Sequence, residues 1–454
     1  MSARLTVIGG GLAGCEAAWQ AAQHGCDVTL YEMRPNASGP AHQTGDLAEL
    51  VCSNSLRGDA LENAVGLLKV ELERLDSIIV TSARASAVPA GGALAVDRAR
   101  FAAAVTAKIT SHPRIALVRE QVERIDPNRP TIVACGPLPP PALATEIDRL
   151  VGTGRLHYYD AAAPIVAAES IDESVMYRKS RYEKGEGDDY LNIPLEREQY
   201  QTFVAALRAA PKHQPKDFER DAASGRIPYF EGCLPIEEMA ERGEDVLRFG
   251  PLKPVGLRHP ITGKTPHAVV QLRKENASGT ALNLVGFQTR LTWPAQKEIF
   301  GKLPGLAAAD WLRLGVMHRN TFLDAPRLLE PDLRLRDHPL TWFAGQITGA
   351  EGYVEAAACG VIAGIAAAHV LRSAVPPRWP SVTAHGAVLA HLANTHSVDF
   401  QPANVNWGAF PPLDAEQHTR DKQERRRRMA RRALDALDTF IDDLTRGMQL
   451  GAAG

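Results

Sequence analysis

The chain has 454 residues, 45% of them hydrophobic, and a formal net charge of −2. That length and apolar content can fill the cores of two or three domains. The near-zero charge excludes a globally basic nucleic-acid binder, so any polyanion must meet a local patch. The six cysteines (Cys15, Cys26, Cys52, Cys135, Cys233 and Cys359) contain no CxxC pair and no Cys/His cluster, so neither a disulfide framework nor a metal site is expected. No apolar stretch reads as long and uncharged enough to cross a bilayer, and MSARLTVIGG reads as a strand rather than a cleavable leader. The expectation is a cytoplasmic protein with no membrane contact.

The first elements in chain order are an apolar strand at Arg4–Ile8, the turn GGGLAG at Gly9–Gly14, a helix ending at Gly25, and a second strand ending at Glu32. Strand, glycine turn, helix, strand and acid make a βαβ dinucleotide-binding fingerprint, with Gly10, Leu12 and Ala13 completing the turn. Gly9 allows the tight turn, Gly11 lets the backbone approach a pyrophosphate, Gly14 lets helix pack on strand, and Glu32 faces a ribose hydroxyl. The fingerprint alone leaves FAD and NAD open.

Next comes Cys52, among Ser53, Asn54, Ser55 and Arg57, a polar and partly cationic run of the kind that lowers a thiol pKa toward the reactive thiolate, with an inert buried thiol equally open on these residues alone. Further strands are expected at Ile115–Val118 and Thr131–Cys135, the latter running into a turn at Gly136. Residues 161–330 are richer in charge, proline and broken strands such as HAVVQL and LNLVGF, which predicts a mixed α/β domain inserted between residues 1–160 and 331–454. Within it, MYRKSRYEKGEGDDYLN (Met176–Asn192) mixes cations and tyrosines, suiting either a single-stranded nucleic-acid contact or a solvated loop. Cys233 precedes a helix starting near Ile236, whose dipole would favour a thiolate. Thr341–Leu371 then reads as a strand, a glycine loop and a small-residue helix whose N-terminus can face cofactor phosphate or flavin. Arg425–Arg428 with Arg431 and Arg432 lie on a C-terminal helix, as an ion-paired face or a phosphate-binding one. Cys15, Cys26, Cys135 and Cys359 sit in regular elements and read as buried hydrophobes.

Taken together, GGGLAG at Gly9, ELVCSNSLR at Glu49, KSRYEKG at Lys179, EGCLPIEEMAERG at Glu231, FGPLKPVGL at Phe249, VGFQTRLTW at Val285 and AGQITGAEGYVE at Ala344 resemble one family along almost the whole chain. It is the folate- and FAD-dependent tRNA (uracil-5-)-methyltransferases of bacteria. The resemblance implies a glutathione-reductase-like, FAD-binding Rossmann domain with a smaller inserted α/β domain. It also implies methylation of a T-loop uridine in the T-arm of tRNA, with methylenetetrahydrofolate as carbon donor and FAD reduced by NADH or NADPH. On the matching runs, Cys233 would add to the uracil ring and Cys52 would take the proton, with the two roles exchangeable. Gly9–Gly14 and Glu32 would hold the ADP half of FAD, and Gly345, Gln346, Gly352 and Tyr353 would lie near the isoalloxazine. Gln288, Trp293 and His318 are the folate candidates, with a purely structural role left open. Ile193, Leu195 and Leu234 replace the family's more usual sulfur-bearing residues without loss of apolar character. No long helical extension is expected after residue 450, unlike the larger related FAD enzymes of the wobble uridine. The alternatives are a flavin-dependent NAD(P)H or disulfide oxidoreductase, a non-catalytic FAD scaffold, or the same chemistry on a ribosomal RNA uridine.

Overall fold

A computed structural model describes residues 3–39, 41–152, 155–161, 163–213, 234–315, 317–395, 400–414 and 419–452, with 155–161, 317–319 and 447–452 described by backbone alone. The chain begins with β1 (Arg4–Ile8), α1 (Leu12–Gln23) and β2 (Asp27–Tyr31), the expected βαβ unit. There follow β3 (Ser55–Gly58), α2 (Ala64–Arg74), α3 (Ile78–Ala85), β4 (Ala87–Val88), β5 (Ala93–Val96), α4 (Arg98–Ser111), β6 (Ile115–Val118), β7 (Thr131–Val133) and α5 (Pro141–Val151). Next are β8 (Arg155–Ala161), β9 (Ile165–Ala167), β10 (Tyr177–Arg178), β11 (Tyr190–Leu195) and α6 (Arg197–Ala209). After residue 234 come α7 (Ile236–Glu241), α8 (Val246–Phe249), β12 (Ala268–Lys274), β13 (Ala281–Leu284), α9 (Trp293–Phe300), β14 (Trp311–Arg313) and β15 (Met317–Leu323). The remaining elements are α10 (Ala325–Leu328), β16 (Arg334–Leu335), β17 (His338–Phe343), α11 (Tyr353–Leu371), α12 (Ala384–Leu392) and α13 (Lys422–Ala452).

Two six-stranded sheets carry the architecture. The first has the order β16-β17-β7-β1-β2-β6. It is parallel except at β16, so the strand at residue 338 returns to the sheet begun at residue 4. This is the doubly wound FAD-type α/β fold, with its ligand edge at the carboxyl ends of the parallel strands. The second sheet, β10-β11-β12-β13-β9-β14, is antiparallel and inserted between them. β8 and β15 form a two-stranded ribbon in which the chain leaves the first body and returns to it, Arg155 pairing with Leu323 and Ala161 with Met317. The inserted body has its own core, where Phe203, Phe287 and Phe300 pack ring against ring. Burying each such ring contributes on the order of 1.5–3 kcal/mol, which is how a separate core sustains an insertion of this size.

Small residues decide how the first body closes. A Cβ at Gly360 would lie 2.4 Å from the Ala13 carbonyl oxygen, and one at Gly364 would lie 2.6 Å from that of Ala17. Glycine at both positions therefore lets α11 press onto α1 and brings both helix N-termini to the same edge of the sheet. Contrary to the sequence expectation, α11 is long and apolar enough to cross a bilayer, with a mean hydropathy of 1.8. Here it is a core helix, with Val354–Ala368 buried throughout.

Candidate functional site

A cleft runs along the carboxyl ends of β1, β2, β7 and β17, and its floor is backbone. Gly9 has φ +104° and passes so close to β7 that a Cβ would sit 2.4 Å from the Ala134 carbonyl oxygen. A Cβ at Gly14 would sit 1.8 Å from the Gly9 carbonyl oxygen, whereas one at Gly11 would meet nothing within 4 Å. Gly11 therefore faces open cleft, and α1 behind it has no acidic residue in its first turn and no side-chain cap. Uncapped N–H groups at a helix start are suited to an anion. Gly9, Gly11, Leu12, Ala13, Glu32, Gly136, Gly345, Gln346, Gly352 and Tyr353 all line the cleft. Gly10 and Gly14 stand behind it: the Gly10 N–H donates to Glu32 Oε2 (2.8 Å), and Gly14 packs on the turn.

Glu32 has a partner that the sequence does not announce. Its Oε1 accepts from the Arg34 N–H (3.0 Å) and Nε (2.9 Å), and its Oε2 from Gly10 and from Arg34 Nη2 (3.1 Å). Burial pushes its pKa up, but the Arg34 guanidinium and these N–H groups outweigh burial and hold the carboxyl below its usual range. The buried Arg34 also pairs with Glu49 at 3.0 Å, and Glu49 accepts from the backbone N–H groups of Gln43 and Thr44. Glu32 thus also joins the end of β2 to the run that carries Cys52.

Cys52 is half-buried on that run, and its placement is the work of residues distant in sequence. The N–H groups of Cys52 (2.8 Å) and Ser53 (3.1 Å) donate to the hydroxyl oxygen of Tyr353, the first residue of α11. Burial and the neighbouring Cys52 push the Tyr353 pKa up, so the hydroxyl stays neutral. Arg98 donates to the carbonyls of Leu50 and Cys52 and pairs with Glu275 of the inserted body at 2.7 Å. Arg313 donates to the Val51 carbonyl. Burial opposes the Arg98 charge, but Glu275, Tyr353 and Cys52 together raise its pKa; burial and Arg98 lower that of Arg313. Arg57 pairs with the buried Glu355, which also accepts from the Val405 N–H.

Cys52, Ser53 and Gln288 belong both to this cleft and to a second cavity of about 340 Å³ that also touches Leu234, Arg273 and Asn283. The site thus lies where the two bodies meet. Cys233 and its role lie outside the described residues. Cys15, Cys26 and Cys359 are buried, and desolvation pushes all three thiols up, Cys359 to about 11. Cys135 departs from its expected burial, because the turn at Gly136 exposes it in the cleft wall. Of the folate candidates, Gln288 is at the junction. Trp293 is 55% exposed at the start of α9 and lines neither cavity, because the helix turns it outward. The His318 backbone pairs with Asp160 in the ribbon, and its side chain lies outside the described residues; Asn320, two residues on, lines the cleft.

In the loop Met176–Asn192, the hydroxyls of Tyr177 and Tyr190 donate to the carbonyls of Leu257 (2.7 Å) and Ala90 (2.9 Å), while Tyr182 is exposed. In the arginine run, Arg427 pairs with Glu62, Arg428 with Glu424, and Arg432 donates to the Pro411 and Pro412 carbonyls. Sequence reasoning missed Arg34, Arg98, Arg313 and Glu355, and named Arg57 only as part of the run around Cys52. Arg98 lies 46 residues from Cys52 and 177 from Glu275, so no local pattern marks it.

A family model described as "Glucose inhibited division protein A" matches residues 4–374. A relative from Geobacter sulfurreducens, named "Methylenetetrahydrofolate--tRNA-(uracil-5-)-methyltransferase TrmFO", is 55% identical over 97% of this chain and 99% of its own length. One of the same name from Heliobacterium modesticaldum is 54% identical over 96% of this chain and 98% of its own. The solved structure of Aquifex aeolicus GidA in its form II crystal superposes with a TM-score of 0.68 at 16% identity, covering 98% of this chain and 76% of that one. This last likeness speaks for the fold alone.

Proposed function

This chain belongs to the methylenetetrahydrofolate–tRNA-(uracil-5-)-methyltransferases of the glucose-inhibited division protein A family, and from that premise we propose how its residues carry out the reaction. It is a flavoprotein that methylates the 5-carbon of a tRNA uracil with methylenetetrahydrofolate as carbon donor. The observation that carries the mechanism is the position of Cys52 at the junction of the dinucleotide cleft and the second cavity. The cleft suits FAD: Gly11 and Gly136 leave open space beside an uncapped helix N-terminus, and Gly345 and Gly352 bring a second N-terminus to the same cleft. Gly9, Gly11, Leu12 and Ala13 would hold the pyrophosphate, and Gly345, Gln346, Gly352 and Tyr353 the isoalloxazine. When bound in its reduced form, FAD supplies the hydride that completes the methyl group, and NADH or NADPH is the reductant we assign to it.

The 5-carbon of uracil is a weak nucleophile. A thiolate adding at the 6-carbon makes the ring an enolate that attacks the methylene carbon of the folate. Cys233 is assigned this addition. Loss of the 5-carbon proton then breaks the methylene–nitrogen bond, expels tetrahydrofolate and leaves an exocyclic methylene with Cys233 still on the 6-carbon; hydride delivered to that methylene would restore the ring double bond and release the sulfur. Cys52 is assigned the proton: Arg98 and Arg313 lend it a cationic surround that favours the thiolate, and the Tyr353 hydroxyl anchors its backbone. The substrate is assigned as the T-loop uridine, presented to these residues by base flipping, because a stacked ring is unreachable. The protein acts in the cytoplasm, without a membrane partner.

The test is methyl transfer from labelled methylenetetrahydrofolate with NAD(P)H to unmodified tRNA, run beside S-adenosylmethionine. A yellow protein making 5-methyluridine from the folate is expected; incorporation from S-adenosylmethionine alone overturns the reading. Full activity in Cys52→Ala would remove Cys52 from the mechanism.

A further inference from the structure

The inserted sheet has two faces of opposite character. Along β11, β12 and β13, residues such as Ile193, Val270, Leu272 and Leu284 enter the apolar core, so strand alternation turns Asn192, Gln271, Arg273 and Asn283 to the other face. All four are buried. A buried polar face is costly unless each group finds a partner. Three do. Gln271 Nε2 donates to Asn192 Oδ1 (3.0 Å), Asn192 Nδ2 donates to the Tyr177 (3.1 Å) and Lys179 (2.9 Å) carbonyls, and Arg273 donates to Asn54 Oδ1 (3.1 Å) and Ser53 Oγ (2.9 Å).

Asn283 is the exception. It is 4% exposed and sits opposite Arg273 across the ladder. Among the described residues its carboxamide has no hydrogen-bond partner, and it lines the 340 Å³ cavity with Cys52, Arg273 and Gln288. A carboxamide presents one acceptor and one donor side by side. That pattern complements the imide edge of uracil, where the N3–H donor adjoins a carbonyl acceptor.

We propose that Asn283 reads the imide edge of the flipped-out uracil, so that the cavity floored by the inserted sheet is the pyrimidine subsite and opens onto Cys52. The assignment rests on the function proposed above and names the subsite within it. A pterin carries a similar amide edge, but this cavity shares only Cys52, Ser53 and Gln288 with the cofactor cleft, which favours the RNA base.

The test compares wild-type and Asn283→Ala holoenzymes on tRNA carrying uridine or 3-methyluridine at the methylated position. Asn283→Ala should lower kcat/KM for the uridine substrate roughly 10- to 100-fold, with the KM for methylenetetrahydrofolate, the flavin absorbance and the Tm unchanged. The 3-methyl group removes the donor, so it should slow the wild type by a similar factor and Asn283→Ala no further. Losses that multiply would overturn the proposal, as would a raised folate KM with unaltered tRNA kinetics. The isosteric Asn283→Asp keeps the packing and takes the place of the alanine variant if that variant fails to fold. A wild type that makes no 5-methyluridine overturns both readings; an active wild type with an unimpaired Asn283→Ala overturns this one alone.

Discussion

The two bodies build their halves of the site by different means. The parallel sheet makes its cleft from backbone: four glycines at positive φ (Gly9, Gly136, Gly345 and Gly352), two helix N-termini, and no acid in the first turn of α1. The inserted sheet makes its cavity from side chains, a buried polar face of Arg273 and Asn283 against an apolar core on the reverse. A backbone site tolerates no added atom where its turn is tight, at Gly9 and Gly14, yet needs few side chains. A side-chain site tolerates shape changes yet depends on hydrogen-bond partners brought from far away. Cys52 sits between the two and is held by both, through Tyr353 on one side and the Arg98–Glu275 pair on the other.

The largest effect should come from breaking the backbone half. Gly14→Ala places a Cβ 1.8 Å from the Gly9 carbonyl oxygen, so the turn must open, and the purified protein should be colourless with a strongly lowered Tm. Gly11→Ala has no protein atom to strike; it should fold with the wild-type Tm of the apoprotein but retain less flavin, because its methyl enters the cleft. Absorbance at the flavin band, set beside thermal unfolding, separates the two. Equal Tm losses in both variants would show that the cleft is not open at Gly11.

Next in size is the clamp between the bodies. Arg98→Leu frees the Leu50 and Cys52 carbonyls and strands the buried Glu275 carboxylate. Breaking a buried pair from one side costs about 3–5 kcal/mol, so the denaturation midpoint should fall and methylation should fall more than tenfold. Wild-type turnover in this variant would detach Cys52 from the chemistry.

The smallest effect lies away from both halves. Burial pushes the Glu16 carboxyl up to about 7, against hydrogen bonds from Ser77, Gln20 and Ile79. The folded chain therefore holds a proton that the unfolded chain gives up near 4.5. Stability should fall as pH rises from about 4.5 to about 7 and stay lowered above that. Glu16→Gln should remove that slope, raising the Tm at pH 8 by roughly 1–4 °C and leaving it little changed at pH 4. An unchanged slope would show that Glu16 is ionised in the fold.

The elements around the glycines were legible from local pattern alone. β1, α1 and β2 fall where the fingerprint predicts, and the strand, glycine loop and helix of Thr341–Leu371 appear as β17 and α11. The position of Glu32 was legible, but its occupation by Arg34 was not, since an arginine two residues on can equally point to solvent. The cleft position of Cys135 was misread and the exposure of Trp293 was not legible, because strand membership and ring size do not tell which way a side chain faces.

What the amino-acid order determined by itself is the set of positions where only glycine can stand and the alternation that sorts each strand into two faces, because steric limits on φ and the two-residue pleat act within a few neighbours. Only the tertiary structure decided which groups meet at Cys52. Arg98, Arg313, Glu275 and Tyr353 come from 46 to 301 residues away, and their convergence follows from the docking of two separately cored bodies, which no local rule encodes.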